Sequence, residues 1–295
     1  MKAQKYATPV MIIATIVISL AMLFIPTSHK HNEASDRLNV TVTLIPYADF
    51  VRQVGGDRVD INIMVPPGAS PHSYEPTPSQ MVSLSNTEVY VQAGSGIEFE
   101  VIWMDKLIEQ NPEMTVINGS TGIDLRISSD PDEPGMDPHV WTSPLNARII
   151  VQNIRDGLIA IDPGNETFYR SNAEGYLEQL DELDAYIHGK LDGYSNRHFL
   201  IYHPSFGYFS SEYGLEQTAI EFEGKEPTPQ VLETCIDLAE QYDLNYVFIE
   251  PQFVLQYAET IADATGGETV TIDALAEDYM TSMHNIADAL ALEFE

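Results

Sequence analysis

Strand-like and helix-like segments alternate along the chain from residue 39 onward, and this alternation restricts the fold more tightly than any other feature of the sequence. It is the pattern expected of parallel sheets covered by helices. The predicted strands cover residues 39–45, 59–65, 87–93 and 114–118 in the first half, and 198–202, 216–222, 245–250 and 268–273 in the second. Helices are expected near residues 78–86, 97–110, 228–242, 254–265 and 278–293. The predicted fold class is therefore α/β, with two lobes that each contain a four-stranded, mostly parallel sheet with flanking helices.

A long helical segment, residues 165–193, separates the two sets of strands. Its apolar residues recur at alternating spacings of four and three, which places them on one face of a single helix: Tyr169, Ala173, Tyr176, Leu180, Leu183 and Ile187. A helix of roughly 25 residues is about 38 Å long, so we expect a rigid strut that joins the lobes rather than a hinge. The predicted division is a signal or anchor with its tether over 1–37, a first lobe over 38–164, the connecting helix over 165–193 and a second lobe over 194–295.

The charge balance excludes one class of partner. The chain has 45 acidic and 14 basic residues, a net charge of −31, which repels the phosphates of nucleic acids and anionic lipid headgroups. An acidic surface is compatible with cations, with high salt or with simple solubility, and composition does not choose among these. The single cysteine, Cys235, rules out an intramolecular disulfide. Its helical spacing from Val231, Leu238 and Tyr242 predicts a buried thiol.

The N-terminus has the features of a targeting segment. Lys2 and Lys5 precede an uncharged apolar run over residues 9–25, which indicates an export signal or a membrane anchor. A cleaved signal and a retained anchor remain alternatives, but a lipid-modified cysteine is excluded because no cysteine is present there. Since the positive end stays inside, we expect the rest of the chain to lie outside the cytoplasmic membrane.

Four residues from four quarters of the sequence are candidate ligands: His72, His139, His203 and Asp273. Three of them follow or end predicted strands, and His139 precedes a predicted helix that Ser143 would cap, with Pro144 in its first turn. The separations are 67, 64 and 70 residues. Because ligands of open α/β sheets collect beyond the carboxyl ends of the strands, we expect the four side chains to meet in a cleft between the lobes.

Three imidazoles and one carboxylate match a closed site for a first-row divalent metal, most readily zinc. With all four positions filled, no coordination position remains for a water nucleophile, which favours holding a metal over catalysis. The loop around His72 contains several prolines, which reduce the entropy lost when this ligand is fixed: Pro66, Pro67, Pro71, Pro76 and Pro78. Each histidine taken singly could have a structural role, and Asp273 could be a helix cap.

Six motifs resemble, in order and spacing, those of the extracytoplasmic zinc- and manganese-binding proteins that supply ABC transporters. They are "PHSYEPTPSQMVSLSNTEVYVQAG", "DPHVWTSPLNA", "YHPSFGYFSSEYGL", "EGKEPTP", "FIEPQF" and "IDALAED". The resemblance to this metal-specific solute-binding family extends from about Asn39 to the C-terminus. It implies a metal bound between two lobes by the three histidines, with Asp273 as fourth ligand, and delivery to a permease powered by a cytoplasmic ATPase. Glu250 would either orient a ligand or pack structurally, and we expect a monomer.

The choice of metal depends on two departures from the family pattern. Residues 118–137 are acidic but contain no histidine, unlike the histidine-rich loop of many zinc-specific members. Manganese-specific members tend to have a carboxylate where His203 stands. A third imidazole favours zinc over manganese, with iron behind, because manganese prefers oxygen ligands.

Two other functions use the same residues. A surface zinc-dependent hydrolase would take the three histidines as ligands and Asp273 as base, but the sequence has no HExxH helix and no His-x-His pair. An adhesin in which metal only braces the fold is the second alternative. We expect a carrier and no enzyme, and we expect His188, His198 and His284 to lie outside the site.

Overall fold

The computed structural model describes residues 37–128, 135–221 and 226–295. The predicted export or anchor segment therefore lies outside the described residues, except for Arg37. None of the helices in the described ranges combines the length and the hydropathy needed to span a membrane.

The first lobe contains a four-stranded parallel sheet in the order β2-β1-β3-β4. The strands are β1 (Leu38–Val42), β2 (Val59–Ile63), β3 (Val89–Gln92) and β4 (Thr115–Asn118). The helices are α1 (Ile45–Gly55), α2 (Pro78–Leu84), α3 (Glu98–Gln110) and α4 (Pro144–Ile161). Ser143 caps α4 by accepting from the Asn146 backbone N–H, and Pro144 is its first residue, as predicted.

The second lobe repeats this arrangement, with the order β6-β5-β7-β8 and parallel pairing throughout. The strands are β5 (His198–Ile201), β6 (Glu216–Ala219), β7 (Tyr246–Ile249) and β8 (Glu268–Thr271). The helices are α6 (Gly207–Tyr213), α7 (Pro229–Tyr242), α8 (Gln256–Thr265) and α9 (Tyr279–Phe294). The predicted α/β class with two four-stranded sheets is confirmed.

One helix, α5 (Glu166–Leu191), connects the lobes. Its 26 residues give a length of about 39 Å, and all six residues of the predicted stripe are buried. It packs against α4 of the first lobe and α9 of the second. On the α9 side the Tyr186 hydroxyl donates to Asp288 Oδ1 at 2.7 Å. The strut is therefore held along both lobes.

Hydrophobic burial forms one large core that joins the first lobe, α5, α9 and one face of the second sheet, and a smaller core on the other face of that sheet. Cys235 lies in the smaller core and is 2 % exposed, which confirms the predicted buried thiol. Burial raises the pKa of this thiol to about 11, so it is protonated and unreactive at neutral pH.

Candidate metal centre

His72 lies in the loop between β2 and α2, which is fixed at both ends. Pairing in the sheet continues past β2, because the Met64 backbone N–H donates to the Val42 carbonyl oxygen at 2.9 Å. The Gln80 side-chain amide donates to the Met64 carbonyl at 2.6 Å and accepts from the Tyr74 hydroxyl at 2.9 Å. The loop is therefore held by hydrogen bonds as well as by its prolines.

His139 lies at the start of the short segment that leads into α4. The Thr142 hydroxyl donates to its carbonyl oxygen at 2.8 Å, and the Ser95 hydroxyl donates to the carbonyl of Pro138 at 2.5 Å. The indole ring of Trp141 packs edge-on against the imidazole, with ring centroids 5.4 Å apart. His139 is buried, at 5 % exposure.

His203 follows β5 and belongs to the second lobe. Sheet pairing continues to its neighbour, since the Tyr202 backbone N–H donates to the Phe248 carbonyl at 2.8 Å. The ring of Phe253 stacks on the imidazole, with centroids 4.9 Å apart and planes 27° apart. His203 is 7 % exposed, so the protein covers this side of the cleft.

The three imidazoles converge where the lobes meet. Their ring centroids are 4.6, 5.0 and 5.5 Å apart, and one nitrogen of each ring lies within 4.8 Å of the other two. The Nε2 atoms of His139 and His203 are 3.1 Å apart. No other group of three or more such ligands occurs in the described ranges. The rings line a cavity of about 20 Å³, which has room for one small ion or one water molecule.

Each imidazole contacts a carboxylate through its Nδ1 atom. His139 and His203 are hydrogen-bonded to Asp137 at 2.9 Å and to Glu221 at 2.6 Å, and His72 lies at an ion-pair distance of 2.7 Å from Glu98. A carboxylate at Nδ1 selects the tautomer with the proton on that nitrogen and leaves the Nε2 lone pair free. The rings are therefore prepared to bind a cation through Nε2.

Burial sets the charge of two groups at the cavity. It lowers the pKa of His203 well below the ordinary value, and the nearby His72 and His139 lower it further, so this ring is neutral. Burial also raises the pKa of Glu250 to about 8, although the Ser205 hydroxyl donates to its Oε1 at 2.5 Å. Within the described part of the chain, Glu250 Oε2 has no hydrogen-bond partner, and the side chain lines the same cavity as the imidazoles.

Asp273 is not part of the group that the three imidazoles form. Its Oδ1 accepts from the Leu275 backbone N–H at 2.9 Å and from the Gln252 side-chain amide at 3.3 Å. It lines a separate cleft of about 270 Å³ between β8 and the start of α9. The structure thus brings together three of the four predicted ligands, and the role of Asp273 as fourth ligand stays a prediction.

The other histidines lie elsewhere. His198 stacks on Tyr242 with ring centroids 3.5 Å apart, and the Nδ1–H of His284 donates to the Met280 carbonyl oxygen at 2.7 Å. His188 packs edge-on against Tyr213. None of the three belongs to the imidazole group.

Sequence reasoning missed the three carboxylates behind the imidazoles. Asp137 is the only one close in sequence to its histidine, two residues before it, and "DPH" is a short local signal. Glu98 begins α3, and Glu221 lies two residues beyond the end of β6. No spacing or periodicity in the sequence connects either of them to a particular histidine.

Comparison with known proteins agrees with this fold. The family model described as "ZnuA: Zinc-uptake complex component A periplasmic" matches residues 40–292. The high-affinity zinc uptake system protein ZnuA of Bacillus subtilis is 28 % identical over 84 % of this chain and 82 % of its own length. The manganese-binding lipoprotein MntA of Halalkalibacterium halodurans is 30 % identical over 97 % of both chains.

The solved structures include a crystal structure of ZnuA with a TM-score of 0.84 and 34 % identity, covering 88 % of this chain and 100 % of that one. The zinc-bound AdcA of Streptococcus pneumoniae has a TM-score of 0.76 and 26 % identity, over 88 % of this chain and 58 % of that one. These matches confirm the resemblance seen in the six motifs. The chain belongs to the ZnuA family, the periplasmic component A of zinc-uptake complexes.

Proposed function

We propose that the protein captures a divalent transition metal outside the cytoplasmic membrane and delivers it to an ABC permease driven by a cytoplasmic ATPase. The observation that carries this proposal is the convergence of three imidazoles, each with Nδ1 against a carboxylate, around a cavity of about 20 Å³. The names of the relatives, which bind zinc or manganese, support the same class of cargo.

The facing nitrogens favour a cation. With the proton on Nδ1, the Nε2 atoms of His139 and His203 present two lone pairs to each other at 3.1 Å. Two lone pairs at this distance repel unless a proton shared as an N–H···N hydrogen bond, or a metal ion beside both atoms, accepts their electron density. A divalent metal is such an acceptor, and three nitrogen ligands favour zinc over manganese, which prefers oxygen.

The size of the cavity supports a carrier rather than an enzyme. Three histidines around zinc with an open position are also found in hydrolytic sites, so ligand type alone does not separate the two functions. The cavity of about 20 Å³ at the imidazoles matches one ion or one water molecule in size, which favours holding an ion over reaction of an organic substrate. We therefore propose that the chain has no enzymatic activity of its own.

The remaining proposals concern export, the division into lobes, the oligomeric state and the fourth ligand. We propose that residues 1–37 export or tether the protein, that 38–164 and 194–295 form the two lobes around the helix of 165–193, and that the chain acts as a monomer. Asp273 is proposed as the fourth ligand.

The test is the metal stoichiometry of the full-length protein, measured by elemental analysis and by competition between zinc and manganese. We expect one zinc per chain, with affinity lower by orders of magnitude in His72→Ala and His203→Ala. His198→Ala is the matched control, because this histidine lies outside the group and should leave binding unchanged. Unchanged titrations for both site variants would remove the proposed site.

A further inference from the structure

We propose that Glu98, Asp137 and Glu221 are positioning residues that fix the tautomer and orientation of the three metal-binding imidazoles and tune the affinity for the cation. This inference rests on the proposed function, since it assumes that the imidazoles bind the metal. It adds three residues that are not ligands to the determinants of affinity.

A contact between a histidine Nδ1 atom and a carboxylate occurs in three separate parts of the fold. Glu98 begins α3, and the Phe99 backbone N–H after it donates to the Pro71 carbonyl at 3.2 Å, beside His72. Glu221 is carried to His203 by the sheet, because its own backbone N–H donates to the Tyr202 carbonyl at 2.8 Å. Three separate backbone arrangements therefore give the same contact.

Asp137 is held by contacts from both lobes. Its Oδ1 accepts the backbone N–H of His139 at 3.0 Å and contacts the Nδ1 atom of the same residue. The Tyr208 hydroxyl of the second lobe donates to the Asp137 carbonyl oxygen at 3.1 Å. Gly207 leaves room for the carboxylate, since a Cβ atom at that position would collide with Asp137 Oδ2. The second lobe is thus shaped to admit this side chain.

The tautomer is the first consequence. A neutral imidazole can carry its proton on either nitrogen, and a ring protonated on Nε2 has no lone pair there for a metal. A carboxylate at Nδ1 holds the proton on the far side and fixes the plane of the ring. Replacing the carboxylate by a neutral amide weakens that preference without changing the size of the side chain.

The second consequence is electrostatic: the negative charge of each carboxylate should strengthen binding of the cation, and the size of this effect should differ among the three. Each carboxylate lies one imidazole ring away from the ion and stabilises its positive charge, more strongly where solvent is excluded. The exposed fractions of the side chains are 1 % for Glu221, 9 % for Asp137 and 30 % for Glu98. We therefore expect the loss of zinc affinity to decrease in the same order.

The test compares zinc affinity of the full-length variants Glu221→Gln, Asp137→Asn and Glu98→Gln by competition with a chromophoric chelator. Loss of such partners typically lowers metal affinity by about 10- to 100-fold, and we expect Glu221→Gln near the upper end and Glu98→Gln near or below the lower end. Glu216→Gln is the matched control. It removes the carboxylate 3.4 Å from His198 Nε2, a pair outside the metal centre, and should leave zinc affinity unchanged.

A second readout separates positioning from a general structural role. Long-range ¹H–¹⁵N spectra of the metal-free protein report the tautomer of each histidine ring. In the wild type we expect Nδ1–H for His72, His139 and His203, and each variant should shift only the ring that it contacts. A loss of affinity that came from unfolding would change many signals and would not select one ring.

The outcomes are distinguishable. If the wild type binds no divalent metal, the proposed function fails, and the positioning role fails with it. If the wild type binds zinc but Glu221→Gln and Glu98→Gln bind it equally well, with unchanged tautomers, only the positioning role is overturned. Glu98→Gln keeps the test decisive if Glu221→Gln does not fold, because Glu98 is the most exposed of the three.

Discussion

The indole N–H of Trp141 donates to the backbone carbonyl oxygen of Ala274 at 2.9 Å, and this bond joins the first lobe to the turn after β8. Trp141 is also held by the start of α9, because the Tyr279 hydroxyl donates to the Trp141 carbonyl oxygen at 2.9 Å. Trp141 also packs against His139. The segment that carries the proposed ligand Asp273 is thus connected through the Trp141 side chain to an imidazole of the candidate metal centre.

Metal binding should therefore change the fluorescence of Trp141. The chain has two tryptophans, and the ring of Trp103 lies on α3 with the Lys106 ammonium 4.2 Å from its centroid. We expect zinc to alter the emission of the wild type and of Trp103→Phe, and to leave the emission of Trp141→Phe unchanged. A zinc response that persisted in Trp141→Phe would place the metal elsewhere.

Asp273→Asn tests the fourth ligand. If the carboxylate joins the ion, its replacement by an amide removes a charged oxygen ligand, and we expect zinc affinity to fall by about tenfold or more, in line with the effects of weakened metal sites. The control is Asp263→Asn, which removes one negative charge from an exposed position on α8. Equal affinities for the two variants would show that three imidazoles hold the ion without Asp273.

The stability of the metal-free protein should depend on pH through Glu250. Burial raises the pKa of Glu250 from 4.5 to about 8, so the folded state retains a proton that the unfolded state loses. This contribution is complete below about pH 4.5 and is lost as the pH rises towards 8. Between pH 4.5 and 7 the loss is on the order of 3 kcal/mol.

The measurement is urea unfolding as a function of pH for the wild type and Glu250→Gln. The amide mimics the neutral acid, so the difference in unfolding free energy between the two proteins should shift in favour of the variant as the pH rises. Taking the difference cancels the opposite contribution of His203, whose lowered pKa makes stability fall as the pH falls. A difference that stayed constant with pH would mean that Glu250 titrates at its ordinary pKa.

Chelation should empty the protein without unfolding it. The stripe of α5 and the two hydrophobic cores are buried independently of any ion. We expect the chelated protein to remain folded, with a lower melting temperature and nearly the same radius of gyration by X-ray scattering, since α5 fixes the spacing of the lobes. Collapse of the secondary structure on chelation would instead indicate a fold braced by metal.

The sheets were predictable because their strands are rich in β-branched residues and alternate with amphipathic helices. The predicted ends were less accurate where apolar character continues past the last paired residue. The first strand was predicted to reach residue 45, whereas β1 ends at Val42 and α1 begins at Ile45. Nine of the eleven residues of α1 are buried, so its sequence does not show the alternation of apolar and polar faces by which a helix is recognised. Helix α6 has only seven residues, which is too short for this alternation to be seen.

Part of the candidate metal centre was predictable from the positions of the strands. Loops at the carboxyl ends of parallel strands converge, so His72 and His203 could be placed from the strands before them. Their carboxylate partners lie 26 and 18 residues further along the chain, and only the pairing of strands and the start of α3 bring them into contact. Such contacts depend on tertiary structure, which residue type and spacing do not encode locally.

The small volume of the cavity between the imidazoles also affects which other ions can compete for the site. A cavity of about 20 Å³ has room for a bare cation but not for its full hydration shell, so a bound ion must lose the waters that face the imidazoles. Magnesium gives up its waters reluctantly and keeps several of them in most protein sites. We therefore expect magnesium, which prefers oxygen ligands and retains its waters, to compete poorly with zinc for three imidazole nitrogens.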